Sequence, residues 1–325
     1  MSNLLLDVKD LKVYYPTRIH VPGKFFAQKA FVKAVDGVTF QVNEGETFGL
    51  VGESGCGKST TGHTLVRLLT PYSGTVTYRG ENMFAPDAKA KDWSSRIQII
   101  FQDPYSSLDP RYTVGRCIAE PMRVHGTGTP AERKERVLEL MHDVGLAPEN
   151  YTKYPHEFSG GQRQRIGVAR ALALNPELIV CDEPVSALDV SIQAQVLNLM
   201  QDLQEKYSLS YVFISHNLSV VNHICDRIAV MYLGHIVELA GKDDLFSHPS
   251  HPYPQALLDV IPVPNPKVTS LKSILEGDVP SQINPPAGCC FHTRCKHACD
   301  KCRQVAPQPK EIEPGHFVAC HLFDD

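Results

Sequence analysis

The residues best suited to chemistry form a glycine-rich run near residue 52. Gly52 to Ser59 (GESGCGKS) match G-x-x-x-x-G-K-[ST], with the strand-like ETFGLV before them and the helix-like TTGHTLVRLL after them. Glycines let backbone N–H groups turn toward phosphate oxygens, and the next helix presents its positive end there. In this pattern Lys58 neutralises β- and γ-phosphate oxygens, and Ser59 holds Mg²⁺. The predicted nucleotide contacts in this run are Gly52, Ser54, Gly55, Cys56, Gly57, Lys58, Ser59 and Thr60.

An acidic pair ends a later apolar run, LIVCDE, at residues 178–183. Ligands of α/β proteins bind at the carboxyl ends of strands, so Asp182 is a candidate for the second Mg²⁺ ligand. Glu183 comes one residue later, where a carboxylate can polarise an attacking water. The sequence therefore predicts Glu183 as the catalytic base. The alternative is that the two acids cap a helix.

Residues Ser159-Gly160-Gly161-Gln162 have the pattern of a second helix N-terminus with accessible backbone N–H groups. Ser159 is a suitable N-cap, and the two glycines leave backbone N–H groups accessible. One compact chain cannot easily bring two distant helix ends to the same nucleotide. Two chains that face each other can, so this pair of motifs predicts a dimer.

These motifs need strands and helices to position them. Residues 3–51 alternate apolar and polar side chains, which predicts antiparallel strands with turns at Gly37 and at Glu44-Gly45. Three short apolar runs follow at 177–183, 210–216 and 227–240, and polar helical stretches separate them. This alternation predicts an α/β fold with a largely parallel sheet, in which Gly234 turns the last run into a hairpin.

Three other segments have a distinct character. Residues 130–145 place apolar side chains at helical spacing between Pro130 and Gly145, which predicts a helix. The basic and aromatic stretch 16–33 is interpreted as a solvated loop, with a membrane or nucleic-acid contact as the alternative. From about residue 248 the chain is rich in proline, which predicts a small loop-rich C-terminal module. Such a module needs a covalent or metal cross-link, because it has little core of its own.

Composition excludes several classes of protein. The chain has 325 residues, of which 42% are hydrophobic, and this is typical of a folded globular protein. Its formal net charge of −4 provides no overall electrostatic attraction to nucleic acid. No apolar run reaches membrane-spanning length. The N-terminal MSNLLLDVKD lacks the features of a secretory signal, so we expect the protein to stay in the cytosol.

Cysteines are concentrated at the C-terminal end, where six of the ten lie after residue 288. Cys289, Cys295, Cys302 and Cys320 have the spacing C-x5-C-x6-C-x17-C, and four thiolates can hold Zn²⁺ or an iron–sulfur cluster. Metal-free packing or a reversible disulfide is the remaining alternative. Further possible ligands leave the set ambiguous, namely Cys290, Cys299, His292, His297, His316 and His321.

Taken in order, the motifs resemble those of ATP-binding-cassette (ABC) ATPases. The matching features are the glycine-rich loop, Gln102 in IIFQDP, SGGQRQR, LIVCDEP, Asp189 in SALD, and His216. The resemblance implies that Gln102 senses Mg²⁺ and the attacking water, and that His216 contacts the γ-phosphate. It also implies that residues Ser159 to Gln162 touch the ATP of a partner chain, with Asp189 at the dimer seam.

The same resemblance implies the architecture. We expect an ABC-type P-loop ATPase in residues 1–247, with a RecA-like core, an antiparallel β subdomain and a helical subdomain at about 103–157, followed by the module 248–325. Within the helical subdomain, Tyr105, Leu108 and Tyr112 are candidates either for a docking groove or for local core. An aromatic residue should stack on adenine, and Tyr15 fits that role better than Tyr14.

Nearly the whole chain is similar to the F-type ATP-binding subunits of oligopeptide and dipeptide permeases, through stretches such as YPHEFSGGQRQRIG, YLGHIVELA, HPYPQALL and LEGDVPSQINPPAGC. The resemblance implies a translocase subunit on the cytoplasmic face of the membrane. It would pair with a second ABC ATPase, usually a different gene product, beneath two transmembrane permease subunits. An extracytoplasmic binding protein would deliver the peptide. The family tail also implies a [4Fe-4S] cluster on the four named cysteines, with Zn²⁺ as the alternative.

Other functions remain open at this stage. The cargo of such an importer could be a metal or a sugar. A soluble ABC ATPase acting on nucleic acid or ribosomes is less consistent with one cassette and no heptad run between Gly52 and Ser159. A purely regulatory nucleotide fold is opposed by the presence of both Glu183 and His216.

Overall fold

The computed structural model describes residues 3–19, 27–86, 88, 92–259 and 277–324. In these residues the strands are β1 (Leu4–Ile19), β2 (Gln28–Asn43), β3 (Thr47–Val51), β4 (Ser73–Tyr78), β5 (Glu81–Asn82), β6 (Ile97–Ile100), β7 (Leu178–Asp182), β8 (Ser210–Ser215), β9 (Arg227–Tyr232), β10 (His235–Gly241), β11 (Lys310–Glu313) and β12 (His316–Val318). The α-helices are α1 (Lys58–Leu65), α2 (Val114–Val124), α3 (Pro130–Asp143), α4 (Gly160–Leu172), α5 (Val190–Tyr207), α6 (Leu218–Ile224), α7 (Lys242–Ser247), α8 (Pro252–Asp259) and α9 (Asp300–Gln304). Short 3-10 turns lie at Pro148–Thr152, Pro155–Glu157 and His321–Phe323.

Contacts divide the chain into two units. The first contains Val42–Thr47 and Ala85–Ser215, and the second contains Leu4–Gln41, Phe48–Phe84 and the chain from His216 onward. The C-terminal region after residue 247 is therefore in the same unit as the glycine-rich loop. The domain boundary at 247 stays a prediction from sequence character.

The first unit is built on three parallel strands. β7 pairs in parallel with β6 and with β8, so that Asp182, the last residue of β7, lies opposite Ile214 of β8. Every residue of β7 and β8 is buried, as expected for parallel strands covered on both faces. The predicted parallel sheet and its acidic end are confirmed.

The helices of the first unit include the one predicted at 130–145. α3 begins with Pro130 after Thr129, and Thr129 and Glu132 form a reciprocal capping box that satisfies two backbone donors. Val137, Leu140 and Met141 are buried on one face, and Gly145 follows the helix with a φ of +71°. The spacing of apolar residues thus predicted the helix to within a few residues.

The second unit contains two sheets. One has the order β2-β1-β4-β5, with β1 antiparallel to β4. In the other, β3 pairs in parallel with β9, and β9 and β10 form the predicted hairpin around Gly234, whose φ is +85°. β12 pairs with β10 and β11 with β12, so the C-terminal residues extend this second sheet.

Two predictions for the N-terminal strands were wrong. Gly37 does not end a strand: β2 passes through it with a φ of +87°, which a glycine tolerates without the steric cost of a side chain. The stretch 16–33 is not a loop throughout, because β1 continues to Ile19 and β2 begins at Gln28. Residues 20–26 of that stretch lie outside the described residues.

A buried carboxylate ties the C-terminal region to β10. Glu238 is fully buried and accepts hydrogen bonds from the backbone N–H groups of Ser250 and His251 at 2.9 and 2.7 Å. The imidazole Nε2 of His316 lies 2.8 Å from the Glu238 carboxylate. Because a buried carboxylate is costly unless it is hydrogen-bonded, these contacts fix the chain around residues 250 and 316 against the sheet.

Candidate active site

The glycine-rich loop connects β3 to α1 and adopts a conformation that requires its glycines. Gly52, Gly55 and Gly57 have φ values of +151°, +79° and +109°. A Cβ at Gly52 would lie 2.2 Å from the carbonyl oxygen of Met231, and one at Gly57 would lie 2.2 Å from that of Ala34. Left-handed conformation and close backbone approach both exclude a side chain at these two positions.

Lys58 lies at the start of α1 with its side chain folded over the loop. Its Nζ donates to the carbonyl oxygens of Gly52 at 2.8 Å and of Glu53 at 3.0 Å, and the residue is only 4% exposed. Ser59 and Thr60 follow in the first turn of α1 and are half-buried. The loop and the helix end thus present the ammonium and the hydroxyls that phosphate and Mg²⁺ binding require.

The predicted catalytic base and the predicted sensor glutamine meet in the first unit. Gln102 Nε2 donates to Glu183 Oε2 at 2.9 Å. Glu183 follows the buried Asp182 and has a φ of +48°, an uncommon value for a residue with a side chain. Its backbone is fixed by the N–H to the Ile214 carbonyl at 3.0 Å and by Ser186 Oγ, which donates to the Glu183 carbonyl at 3.0 Å. Glu183 thus lies directly after the end of β7 and is half-buried.

His216 comes directly after β8 and is exposed. Since β8 runs parallel to β7, this histidine follows a strand end just as Glu183 does.

The two other predicted motifs of the first unit both cap helices. Ser159 and Gln162 form a capping box at the start of α4: Ser159 Oγ accepts from the Gln162 N–H, and Gln162 Oε1 accepts from the Ser159 N–H at 3.1 Å. Asp189 caps α5 through the Ile192 N–H at 3.0 Å. Hydrogen bonds from Ser191 and from the Ile192 N–H lower the pKa of Asp189.

The starts of these two helices pack together. A Cβ at Gly161 would lie 2.4 Å from Ile192 Cγ2, so a glycine is required where α4 approaches α5. Ser159, Gln162 and Asp189 are exposed, while Gly161 is buried. The structure therefore brings the helix start at Ser159–Gln162 and the helix start at Asp189 together on an accessible surface of the first unit.

Tyr14 and Tyr15 differ in how accessible their rings are to a ligand. Tyr14 stacks on Tyr72 with ring centroids 4.6 Å apart, and its hydroxyl donates to Asp36 at 2.5 Å. Burial and the contact with Asp36 raise the pKa of Tyr14. Tyr15 is 38% exposed, so its ring is the more accessible of the two.

The three candidate docking residues differ in their exposure to solvent. Leu108 is 2% exposed and belongs to the core. Tyr105 is exposed, with the Arg163 guanidinium 3.8 Å from its ring centroid, and Tyr112 packs similarly under Arg116 at 3.6 Å. Of the three candidates, Tyr105 is exposed, Tyr112 is half-buried and Leu108 is buried.

Four predicted ligand cysteines line one cavity of about 100 Å³ in the second unit. The cavity-lining cysteines are Cys289, Cys295, Cys299, Cys302 and Cys320. All are free thiols, and burial raises the pKa of Cys320 to about 11. Among the described residues, no group of three or more His, Cys, Asp or Glu side chains is arranged to hold a metal ion.

The additional cysteines and histidines that could be ligands lie in different surroundings. Cys290 lines a different cavity, whereas Cys299 Sγ lies 3.5 Å from Cys302 Sγ. His292, His297 and His321 line the cysteine cavity, but His316 is engaged with Glu238. Cys290 and His316 therefore do not line the cysteine cavity.

One functional contact was not predicted. Arg294, from the C-terminal region, forms an ion pair at 2.8 Å with Glu53 of the glycine-rich loop. The two residues are 241 positions apart, and no local pattern marks either as a partner of the other.

The fold and these motifs define an ATP-binding cassette. Residues 35–186 match the ABC transporter family. Residues 237–302 match the C-terminal region of oligopeptide/dipeptide transporters. A solved dimeric structure of the ATP-binding cassette MJ0796 in a post-hydrolysis state, bound to ADP and Pi, is similar to this chain. It is 26% identical with a TM-score of 0.62, over 73% of this chain and 99% of that one. The cbiO1 structure from Clostridium perfringens shares the fold, with a TM-score of 0.63 at 22% identity, over 76% of this chain and 92% of that one.

The oligopeptide transport ATP-binding protein AppF of Bacillus subtilis is 53% identical over 323 residues, which cover 98% of this chain and 97% of AppF. The chain therefore belongs to the family of ABC transporter ATP-binding proteins of oligopeptide transport. It is an ATPase coupled to transport. In the parts of the chain that the structure describes, no helix combines the length and apolar character needed to span a membrane.

Proposed function

We propose that this chain is the ATP-hydrolysing subunit of an importer that carries oligopeptides or dipeptides across the cytoplasmic membrane. The observation that carries the proposal is the pair of preformed elements: a loop that only glycine permits, with Lys58 folded over it, and the Gln102–Glu183 hydrogen bond. AppF, which is named for oligopeptide transport, supports the peptide as cargo over a metal or a sugar.

The roles of the nucleotide-site residues follow from their chemistry. Gly52, Ser54, Gly55, Cys56 and Gly57 present backbone amides to the phosphates, with Lys58 as the cation and Thr60 in the first helical turn. Mg²⁺ prefers oxygen ligands, and Ser59, Asp182 and Gln102 each offer one. When bound, Mg²⁺ neutralises charge on the phosphates. Tyr15 stacks on adenine.

Hydrolysis in this proposal depends on Glu183 as the proton acceptor. Its carboxylate takes the proton of the attacking water, and Gln102, which donates to Oε2 at 2.9 Å, sets its direction. His216 contacts the γ-phosphate. Glu183 is half-buried and lies just beyond the end of β7, and its uncommon positive φ is the kind of backbone conformation that functional sites retain.

A second ATPase subunit completes each site. Ser159, Gly160, Gly161, Gln162 and Asp189 lie at capped helix starts, of which Ser159, Gln162 and Asp189 are exposed, and we assign them to the ATP of the partner chain. The partner is a second ABC ATPase, which we propose to be a different gene product. Binding of ATP closes the dimer, and hydrolysis opens it.

Closure of the dimer drives two transmembrane permease subunits that receive peptide from an extracytoplasmic binding protein. Residues 1–247 form the nucleotide-binding domain, the helical subdomain at 103–157 contacts the permease, and 248–325 form the C-terminal extension. Tyr105, which is exposed, and Tyr112, which is half-buried, are the residues of that subdomain that support a docking role. The chain then resides at the cytoplasmic face of the membrane and has no nucleic-acid partner.

Peptide-stimulated hydrolysis tests this function. The complex of this chain with its membrane subunits is purified in lipid, and ATPase activity is measured with its binding protein, empty or loaded with peptide. We expect the loaded binding protein to raise the rate severalfold, because cargo delivery shifts the permease toward the state that closes the dimer. A complex stimulated by a sugar or a metal ion, and indifferent to peptides, would contradict the assignment.

We further propose a [4Fe-4S] cluster on Cys289, Cys295, Cys302 and Cys320, with Zn²⁺ as the alternative. These four thiols share one cavity of about 100 Å³, several times the roughly 30 Å³ of one water molecule. Soft thiolates are the ligands that such clusters use. A bound cluster would cross-link four segments of a region with few strands.

The metal content of the protein tests this site. An anaerobic preparation of the full chain should be brown, absorb visible light and contain about four irons per chain. Cys302→Ser should lose most of the iron, because one of four ligands is removed. Cys290→Ser is the matched control, since Cys290 lines another cavity, and its iron content should not change. A colourless protein with one zinc per chain would refute the cluster.

A further inference from the structure

The glycine-rich loop is held by a bidentate ion pair from the C-terminal region. Arg294 Nη1 donates to Glu53 Oε2 at 2.8 Å, and Nη2 donates to Oε1 at 3.2 Å. The Arg294 side chain is 6% exposed and that of Glu53 is 27% exposed, so the pair is largely screened from water. Paired N–H···O bonds of this kind fix orientation as well as distance. The hydrogen bonds to Glu53 raise the pKa of Arg294.

Two more side chains of the C-terminal region contact the same loop. The Glu53 N–H donates to Tyr253 Oη at 2.9 Å, and Gln282 Nε2 donates to the Gly55 carbonyl at 2.7 Å. Three distant segments therefore contact the Glu53–Gly55 stretch directly. This is the part of the loop that carries the variable positions between the first glycine and Lys58.

These contacts rest on a rigid aromatic group. Tyr253 is fully buried and packs on Tyr232 and Phe291, with ring centroids 4.8 and 5.4 Å away. The Arg294 guanidinium lies 5.9 Å from the centroid of Tyr232. Phe291 also lines the cysteine cavity. The loop is thus supported by packed side chains and not by solvent-exposed contacts alone.

We propose that Arg294 is a positioning residue for ATP binding, which acts through Glu53 to hold the phosphate-binding loop in its binding conformation. The proposal rests on the proposed function, in which this loop binds ATP. A loop with three left-handed glycines has many alternative conformations, because glycine restricts the backbone least. Apparent affinity falls in proportion to the fraction of molecules in the competent conformation, and the ion pair raises that fraction.

The first test measures nucleotide binding by the purified full chain. A fluorescent methylanthraniloyl derivative of ATP is titrated with Mg²⁺ into the wild type, Arg294→Ala and Arg294→Lys. If release of the loop reduces the competent fraction to about a tenth, Arg294→Ala weakens affinity roughly tenfold. Arg294→Lys should recover part of this, since it keeps the charge but not the bidentate geometry. Arg303→Ala, an exposed arginine of the same region, is the control and should bind as the wild type does.

A double-mutant cycle shows whether Arg294 acts through Glu53. In a Glu53→Gln background, Arg294→Ala should weaken binding by less than about twofold, because the partner charge is already gone. In the assembled complex, Arg294→Ala should raise KM for ATP and leave kcat within about twofold, since Glu183 and His216 are untouched. Equal losses in both backgrounds, or a fall in kcat with unchanged KM, would overturn the proposal.

Lys58→Ala separates this inference from the function on which it rests. If Lys58→Ala binds the nucleotide as tightly as the wild type, the proposed ATP site is wrong. If Lys58→Ala abolishes binding while Arg294→Ala has no effect, only the positioning role is wrong. Should Arg294→Ala fail to fold, the same cycle is run with Arg294→Lys, where a loss of affinity that disappears with Glu53→Gln supports the proposal and an equal loss refutes it.

Discussion

Glu183→Gln should lower the ATPase rate of the assembled transporter by about 10²- to 10⁴-fold, the usual contribution of a general base. The amide keeps the size of the side chain and can still contact Gln102, but it cannot accept the proton of the attacking water. Affinity for ATP should remain within about threefold of the wild type, because the phosphate-binding loop is unchanged. Steady-state ATPase assays and nucleotide titrations measure the two quantities.

The matched control for this variant is Glu205→Gln, which makes the same charge change at an exposed position of α5. It should hydrolyse ATP at the wild-type rate. Unchanged hydrolysis in the Glu183→Gln complex would show that another group is the base.

Gly57→Ala should weaken ATP binding by about a hundredfold, because the loop amides must shift, and each lost hydrogen bond to a charged group costs about 1.5–3 kcal/mol, where about 1.4 kcal/mol is tenfold in affinity. A Cβ at Gly57 would lie 2.2 Å from the Ala34 carbonyl oxygen, and a φ of +109° is unfavourable for alanine. The thermal unfolding temperature should also fall. Titration with the fluorescent nucleotide and thermal unfolding of the same samples measure both effects.

Gly45→Ala separates the steric clash from the left-handed conformation. Gly45 has a φ of +72°, and no atom lies within 4 Å of a Cβ built there. This variant should lose about 1–2 kcal/mol of stability from the backbone conformation alone and bind ATP normally. If Gly57→Ala behaves like Gly45→Ala, the close approach to Ala34 is not what the loop requires.

Local patterns predicted the parts of the structure that depend on neighbouring residues. The helix at 130–143 follows from apolar spacing between Pro130 and Gly145, and the hairpin at Gly234 follows from one glycine within an apolar run. The position of Asp182 at the carboxyl end of a buried parallel strand follows from the acidic pair that ends the apolar run 178–183. Such features are determined within a few residues or by the order of strands.

Features that depend on distant partners could not be predicted in this way. Gly37 was expected to end a strand, but β2 continues through it beside β1. Cys289 lines the cysteine cavity, but its neighbour Cys290, the same residue type, does not. The stacking of Tyr14 on Tyr72 and the pairing of Arg294 with Glu53 join residues far apart in the chain. Residue spacing carries no information on which distant residues come into contact, because those contacts depend on the path of the folded backbone.

The pairing of Glu53 with Arg294 has a consequence for how the protein is made. Translation proceeds from the N-terminus, so the ribosome must add 241 residues after Glu53 before the arginine that holds it has even been polymerised. Nascent chains that have reached only the end of the cassette lack the side chain that pairs with Glu53. If Arg294 positions the loop as proposed, full affinity for ATP is reached only near the end of synthesis, when a late segment of the polypeptide folds back onto an early one.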